Sequence, residues 1–156
     1  MQFPSVTGSN LQRRELDLPE GFEGDLNLVL IAFQQWQQRQ VNTWIPFAKK
    51  LEEVHPALRY YEMPTIQRLN ALARTFINEG IRAGIPDPVA CQRTITLYVD
   101  KHAFKWALHL PREDDIHVFL LNRKGRVLWR AEGILTRAKG ESLVAAVQGG
   151  DHDEAE

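Results

Sequence analysis

One thiol, Cys91, and five histidines, at positions 55, 102, 109, 117 and 152, are the side chains whose chemistry could define a site. Disulfide exchange needs one thiolate to attack and a second sulfur to resolve the mixed disulfide, so a lone cysteine cannot complete it within one chain. The same count rules out an internal disulfide and a Cys-rich zinc site. Cys91 follows Pro86 and Pro88 and stands two residues before Arg93, whose charge could lower its pKa and make it the one alternative reactive thiol. The plainer reading of an isolated cysteine is a surface or half-buried residue with no role. The histidines form no i, i+4 pair and lack the carboxylate spacing of a helical metal site. His102 and His109 would share one face of a short helix roughly 10 Å apart, too far to bridge a metal. His117 alternates with apolar neighbours and reads as a core-edge residue. No serine has a nucleophile-elbow context, and Lys139–Ser142 lacks the glycine spacing of a phosphate loop. These residues call for no catalytic group, no metal and no cofactor.

Aromatic and charged residues say more about contact than about chemistry. Trp44 fits a helical apolar stripe and Trp129 a strand, so both are expected in the core. Trp36 stands among Gln37, Gln38 and Gln40, and an exposed tryptophan flanked by amides suits an extended polypeptide. Six bases and one acid lie between Arg123 and Lys139, against five acids and no Lys or Arg from Glu141 to Glu156. A solvated basic face with a neutralising tail explains this; a tail shielding a partner site is the sharper account.

With 156 residues, 44% of them hydrophobic, the chain can build one core of its own, burying roughly 68 to 70% of its unfolded surface. Nineteen bases against twenty acids give no support to nucleic-acid binding. The first ten residues hold no apolar stretch of signal-peptide length, and the longest notable apolar run, Leu28 to Phe33, falls far short of the roughly 20 residues needed to cross a bilayer. The expectation is a cytoplasmic protein that does not insert into membranes.

Residues 1–25 read as an irregular leading segment with one or two short strands, loosely held. Leu26–Phe33, nearly all apolar, is a strand buried on both faces. A helical stripe runs from Val41 to Val54, with Pro46 expected to kink or interrupt it. Leu58–Glu62 is a second strand, a helix follows from about Ile66 to Arg82, and Gly84, Pro86 and Pro88 mark a loop. Thr94–Val99 is a third strand and Lys101–Leu108 a short helix. Ile116–Leu121 and Arg126–Ala131 flank a turn ending in Gly125 and should pair antiparallel. Ala138–Gln148 is a closing helix, and residues 149–156 form an acidic tail that buries too little to order itself. The sum is one α/β domain over residues 1–148, a three-layer α/β/α sandwich with a central mixed sheet and a C-terminal β-hairpin plus helix.

The strand ending at Phe33, the helix with an early proline, and Leu120–Gly125 leading to a last strand and helix together resemble the thioredoxin-like superfamily over residues 3–148. The leading Phe3, Pro4, Gly8 and Leu11 resemble its peroxiredoxin branch. More weakly, Ile116–Gly133 resembles the thioredoxin-fold assembly factors of mitochondrial ATP synthase. In redox-active thioredoxins a Trp-Cys-x-x-Cys motif joins the first long strand to the helix. Here Trp36 is followed by Gln37, Gln38, Arg39 and Gln40, and setting Pro46 on the family's kink proline instead selects Gln38 and Val41. Neither frame holds a thiol, and an amide neither attacks nor resolves a disulfide. The peroxiredoxin Pro-x-x-x-Thr-x-x-Cys motif is likewise absent from residues 33–46. The family's cis-proline position falls best on His117, where a cis bond would cost about 2.5 to 4 kcal/mol, so a trans bond is expected.

The resemblance implies a degenerate redox site reused as a binding groove, with Trp36, Gln37, Gln38, Gln40 and His117 its candidate residues. The expected role is that of an adaptor, assembly factor or chaperone acting on a protein partner, with a homodimer of the chain among the arrangements left open. The rival is a peroxiredoxin-branch peroxidase using Cys91 with an external thiol.

Overall fold

The computed structural model describes residues 1–67 and 93–153. Among these residues eleven elements follow in order: β1 (Val6–Asn10), β2 (Glu15–Leu18), β3 (Leu26–Ala32), a 3₁₀ turn (Gln35–Gln37), α1 (Gln38–Val54), β4 (Leu58–Gln67), β5 (Ile95–Val99), α2 (Lys101–Ala107), β6 (His117–Asn122), β7 (Val127–Glu132) and α3 (Arg137–Asp153). The strands form one seven-stranded sheet in the order β2-β1-β5-β4-β3-β6-β7. It is mixed: β4 runs parallel to β3 and β5, while β3–β6, β6–β7, β1–β5 and β1–β2 are antiparallel.

The central strands are apolar on both sides because both faces are covered. Leu28, Leu30, Val118 and Leu120 pack with Trp44 and Leu51 of α1 and Leu143 and Val147 of α3. Val29, Ile31, Phe119 and Leu121 pack on the opposite face with Phe104 and Leu108 at α2. The sandwich and its closing hairpin are therefore as the sequence indicates, with strand and helix ends displaced by up to five residues. The hairpin turns where Asn122 Oδ1 accepts the backbone N–H groups of Lys124 and Arg126, and Gly125 supplies φ +83°.

Several expectations need correction. The leading segment is not loose: β1 pairs with β5, and Phe3, Leu11 and Leu18 are buried. β4 does not stop at Glu62 but continues through Pro64 to Gln67. Pro64 is the last β4 residue paired with β3, and the ladder to β5 runs from Thr65. A residue without an N–H is tolerated at that exchange of partners. Ile66 and Gln67 are consequently strand rather than the start of a helix, and the remainder of that expected helix, the loop at Gly84–Pro88 and Cys91 lie outside the described residues.

Pro46 does not interrupt α1 either. An internal proline costs about 3 kcal/mol. Val41 and Trp44 before it and Ala48 and Leu51 after it are all buried on the sheet, and large apolar side chains contribute about 1.5 to 3 kcal/mol each. Packing outweighs the missing bond. At the other end of the chain α3 extends past Gln148 to Asp153.

Candidate functional site

Where β3 ends, the chain turns through Gln35–Gln37 into α1, and the segment before β6, residues 112–116, lies against that turn. Phe33 and His117, edge to face with centroids 6.2 Å apart, form the apolar floor. Gln37 is fully buried. Its Oε1 accepts the N–H groups of Phe33 at 2.9 Å and Gln34 at 3.2 Å, and its Nε2 donates to the Glu113 carbonyl. Gln40 repeats the arrangement three residues on: Nε2 donates to Asp115 Oδ1 at 2.7 Å, and Oε1 accepts the Ile116 N–H at 2.8 Å. Two glutamines thus clamp one loop to the head of α1. Gln38 faces the other way, donating to Asn42 Oδ1 at 2.9 Å and Glu62 Oε1 at 3.0 Å.

Glu113 is the charged centre of the same network. Lys105 Nζ donates to it at 2.7 Å, Lys101 Nζ at 3.1 Å and Gln34 Nε2 at 3.2 Å. The two lysines lie one turn apart on α2, a helix whose first turn is capped by Asp100 accepting the His102 N–H. Burial of the Glu113 carboxyl pushes its pKa up, but the hydrogen bonds from Lys105 and Lys101 outweigh this and hold it below its ordinary value. Lys101 also sits 5.9 Å from the Phe33 ring centroid.

His117, nearly buried, has Nε2 3.2 Å from the Arg112 carbonyl, which places its proton on Nε2. Burial lowers its pKa, opposed by the Arg112 carbonyl and the Glu132 carboxylate, which stands 3.9 Å from Nδ1. The sole cis peptide among the described residues is Leu18–Pro19, so the bond entering His117 is trans as expected.

The structure therefore gathers Gln37, Gln40 and His117 around the 112–116 loop, with their polar atoms already partnered. The groove expected from a row of amides is in this respect different: of the candidate residues, Trp36 and Gln38 face solvent, and Trp36 is 50% exposed. In the alternative frame Gln38 is exposed and Val41 is core. Trp44 is in the core as expected, while Trp129 is only half-buried and packs edge to face against it, 6.3 Å apart. His109 lies beyond the end of α2 with φ +55°, so it does not share a helical face with His102. Sequence reasoning missed Glu113 and its lysines; the signal was Lys101 and Lys105 at i, i+4 before the acidic run Glu113–Asp115. It also passed over Trp106, which is 79% exposed. Among the described residues no group of three His, Cys, Asp or Glu could hold a metal, and no helix is long and apolar enough to cross a membrane.

No protein-family model matches the chain, and no curated protein does. Solved structures do. A protein of Aquifex aeolicus VF5 superposes with TM-score 0.66 at 11% identity, covering 96% of each chain. BsSco, a member of the Sco family of cytochrome c oxidase assembly proteins, gives 0.63 at 13% identity over 96% of this chain and 92% of its own. The pneumococcal exposed lipoprotein thioredoxin of Streptococcus pneumoniae strain TIGR4 gives 0.58 at 8% identity, over 94% and 99%. The fold is thioredoxin-like. At these identities the likeness is one of fold alone.

Proposed function

We propose that this chain is a redox-inactive thioredoxin-fold protein that acts by binding a protein partner. The observation that carries the reading is the state of the turn after β3, where Gln37 and Gln40 use their amides to fasten the 112–116 loop. A turn fixed in this way presents a rigid rim rather than a reactive group. Trp36, half exposed beside it, supplies apolar area with little side-chain entropy to lose, which suits a recognition anchor. Assembly-factor or chaperone-like work, of the kind named for BsSco, is the form of binding we favour, and the cytoplasm is the compartment we assign. No observation favours a peroxidase working through Cys91.

Two measurements test this. Insulin-disulfide reduction and peroxide consumption should stay at background and be unmoved by Cys91→Ser. Affinity capture from the native host with wild type and Trp36→Ala side by side should recover partners that the variant loses, by tenfold or more. Thiol-dependent turnover abolished by Cys91→Ser, or identical partner profiles for both proteins, would refute the reading.

A further inference from the structure

A second surface opens where the sheet parts. β1 and β5 pair from Asn10–Ile95 to Gly8–Leu97 and no further. Beyond that point each strand keeps a neighbour on one side only: Val6 and Thr7 stay paired with Leu18 and Asp17 of β2, and Tyr98 and Val99 with Ile66 and Gln67 of β4. The two facing edges, residues 4–7 and 98–100, line a cleft of about 640 Å³, inside the roughly 300 to 1,000 Å³ range of ligand sites.

The lining draws on both faces of the sheet, as a gap between strands does and a hollow on one face does not. Side chains alternate along β2, so Glu15 and Asp17 stand exposed on one face while Leu18 is buried on the other. Val99 and Phe104, also in the lining, belong with Leu18 to the core on that second face. One wall is thus acidic and the other apolar. Glu20 and Asp100 add two further carboxylates.

None of the four carboxylates has a cationic partner among the described residues. Asp17 accepts the Thr7 hydroxyl at 3.4 Å and Asp100 the His102 N–H at 3.1 Å, both from uncharged donors. No Lys, Arg or His stands among the described lining residues. Arg14, next to Glu15, lines a separate cavity on the other side of the hairpin, and Lys101, next to Asp100, is held by Glu113. The carboxylates are not gathered for a metal either, since among the described residues no group of three could hold one; they are spread along the cleft. An extended chain alternates its side chains, so one with bases on one side and apolar residues on the other matches both walls, and the open edges of β1 and β5 offer its backbone hydrogen-bond partners. We propose that the cleft where β1 parts from β5 takes an extended segment of a partner protein in which Lys or Arg alternates with apolar residues.

Fluorescence polarisation of a labelled peptide of about ten residues alternating lysine and valine, titrated with the full chain at about 0.15 M salt, tests the assignment. Saturable one-to-one binding is expected. The same peptide with proline in place of each valine keeps the charge but cannot pair as a strand, and should bind at least tenfold more weakly. Glu15 and Glu20 are exposed, so the double variant Glu15→Gln/Glu20→Gln should fold normally while weakening binding tenfold or more. Trp36→Ala should leave the peptide's affinity unchanged, which separates this outcome from the capture of partners at the turn after β3. Absence of saturable binding, equal affinity for the proline peptide, no loss in the double variant, or a loss in Trp36→Ala would overturn the proposal.

Discussion

Burying an amide is favourable only when each of its polar atoms finds a partner, and Gln37 meets that condition with two acceptor contacts and one donor contact. Gln37→Ala would strand the N–H groups of Phe33 and Gln34 and the carbonyl of Glu113. Each unpaired buried group costs about 1 to 3 kcal/mol, and partial rehydration at the edge of the turn recovers some of it, so a loss of about 2 to 4 kcal/mol is expected in urea unfolding. Gln38→Ala, which removes only solvent-exposed hydrogen bonds, should cost under about 1 kcal/mol on the same measurement. The two neighbours are the same residue type, and this is where sequence reading falls short. Composition places an amide-rich turn after the strand, but whether a given glutamine points at solvent or at residue 113 depends on a contact 76 residues away in the chain. The Glu113 hub is hidden for the same reason, since Lys101 and Lys105 read as an ordinary helical charge pair until the fold brings the acid to them.

Elements were more legible where both faces are buried. Leu26–Phe33 and Ile116–Leu121 announce themselves as strands because apolar residues are continuous, and Val41–Leu51 announces a helix because its stripe repeats every three to four residues. Prolines misled in the same direction twice: Pro46 and Pro64 each weaken a local pattern, and each lies inside a continuous element of the fold. The leading segment misled through its glycines and prolines, which suggest a loose arm. In the fold Phe3 is 1% exposed and meets the rings of Phe22 and Phe104 edge to face at 5.8 and 5.9 Å. Phe3→Ala should therefore cost about 3 to 5 kcal/mol, the range for a truncated core aromatic, whereas a loosely held arm would give a change within about 0.5 kcal/mol. Differential scanning calorimetry of the variant reads the difference directly.

At the scale of the whole molecule the charges nearly cancel, with a formal net charge of −1, so collective repulsion contributes little to the effect of pH near neutrality. What remains local is a pair of groups on the 112–117 segment, His117 and Glu113, each with its own set of partners. His117 has a folded pKa below its ordinary 6.5, because burial disfavours the imidazolium; Glu132, Asp115 and Arg130 are the charges around it. The unfolded chain then binds more protons than the folded one as pH falls below 6.5, so stability drops through that region until the depressed folded pKa is passed. Glu113 adds a second, lower limb. Its folded pKa lies below the ordinary 4.5, so its contribution is complete above that value and is lost as pH falls through the depressed one. Urea unfolding from pH 8 to 4 should show stability falling below about pH 6.5 and falling again below about pH 4.5. His117→Gln should flatten the upper limb alone and Glu113→Gln the lower limb alone. The turn after β3 would then be the place where acid first loosens the molecule, because the 112–116 loop that both groups hold is the same loop that Gln37 and Gln40 clamp. A wild-type profile flat from pH 8 to 5 would remove His117 from this account, and a lower limb unchanged in Glu113→Gln would remove the carboxylate.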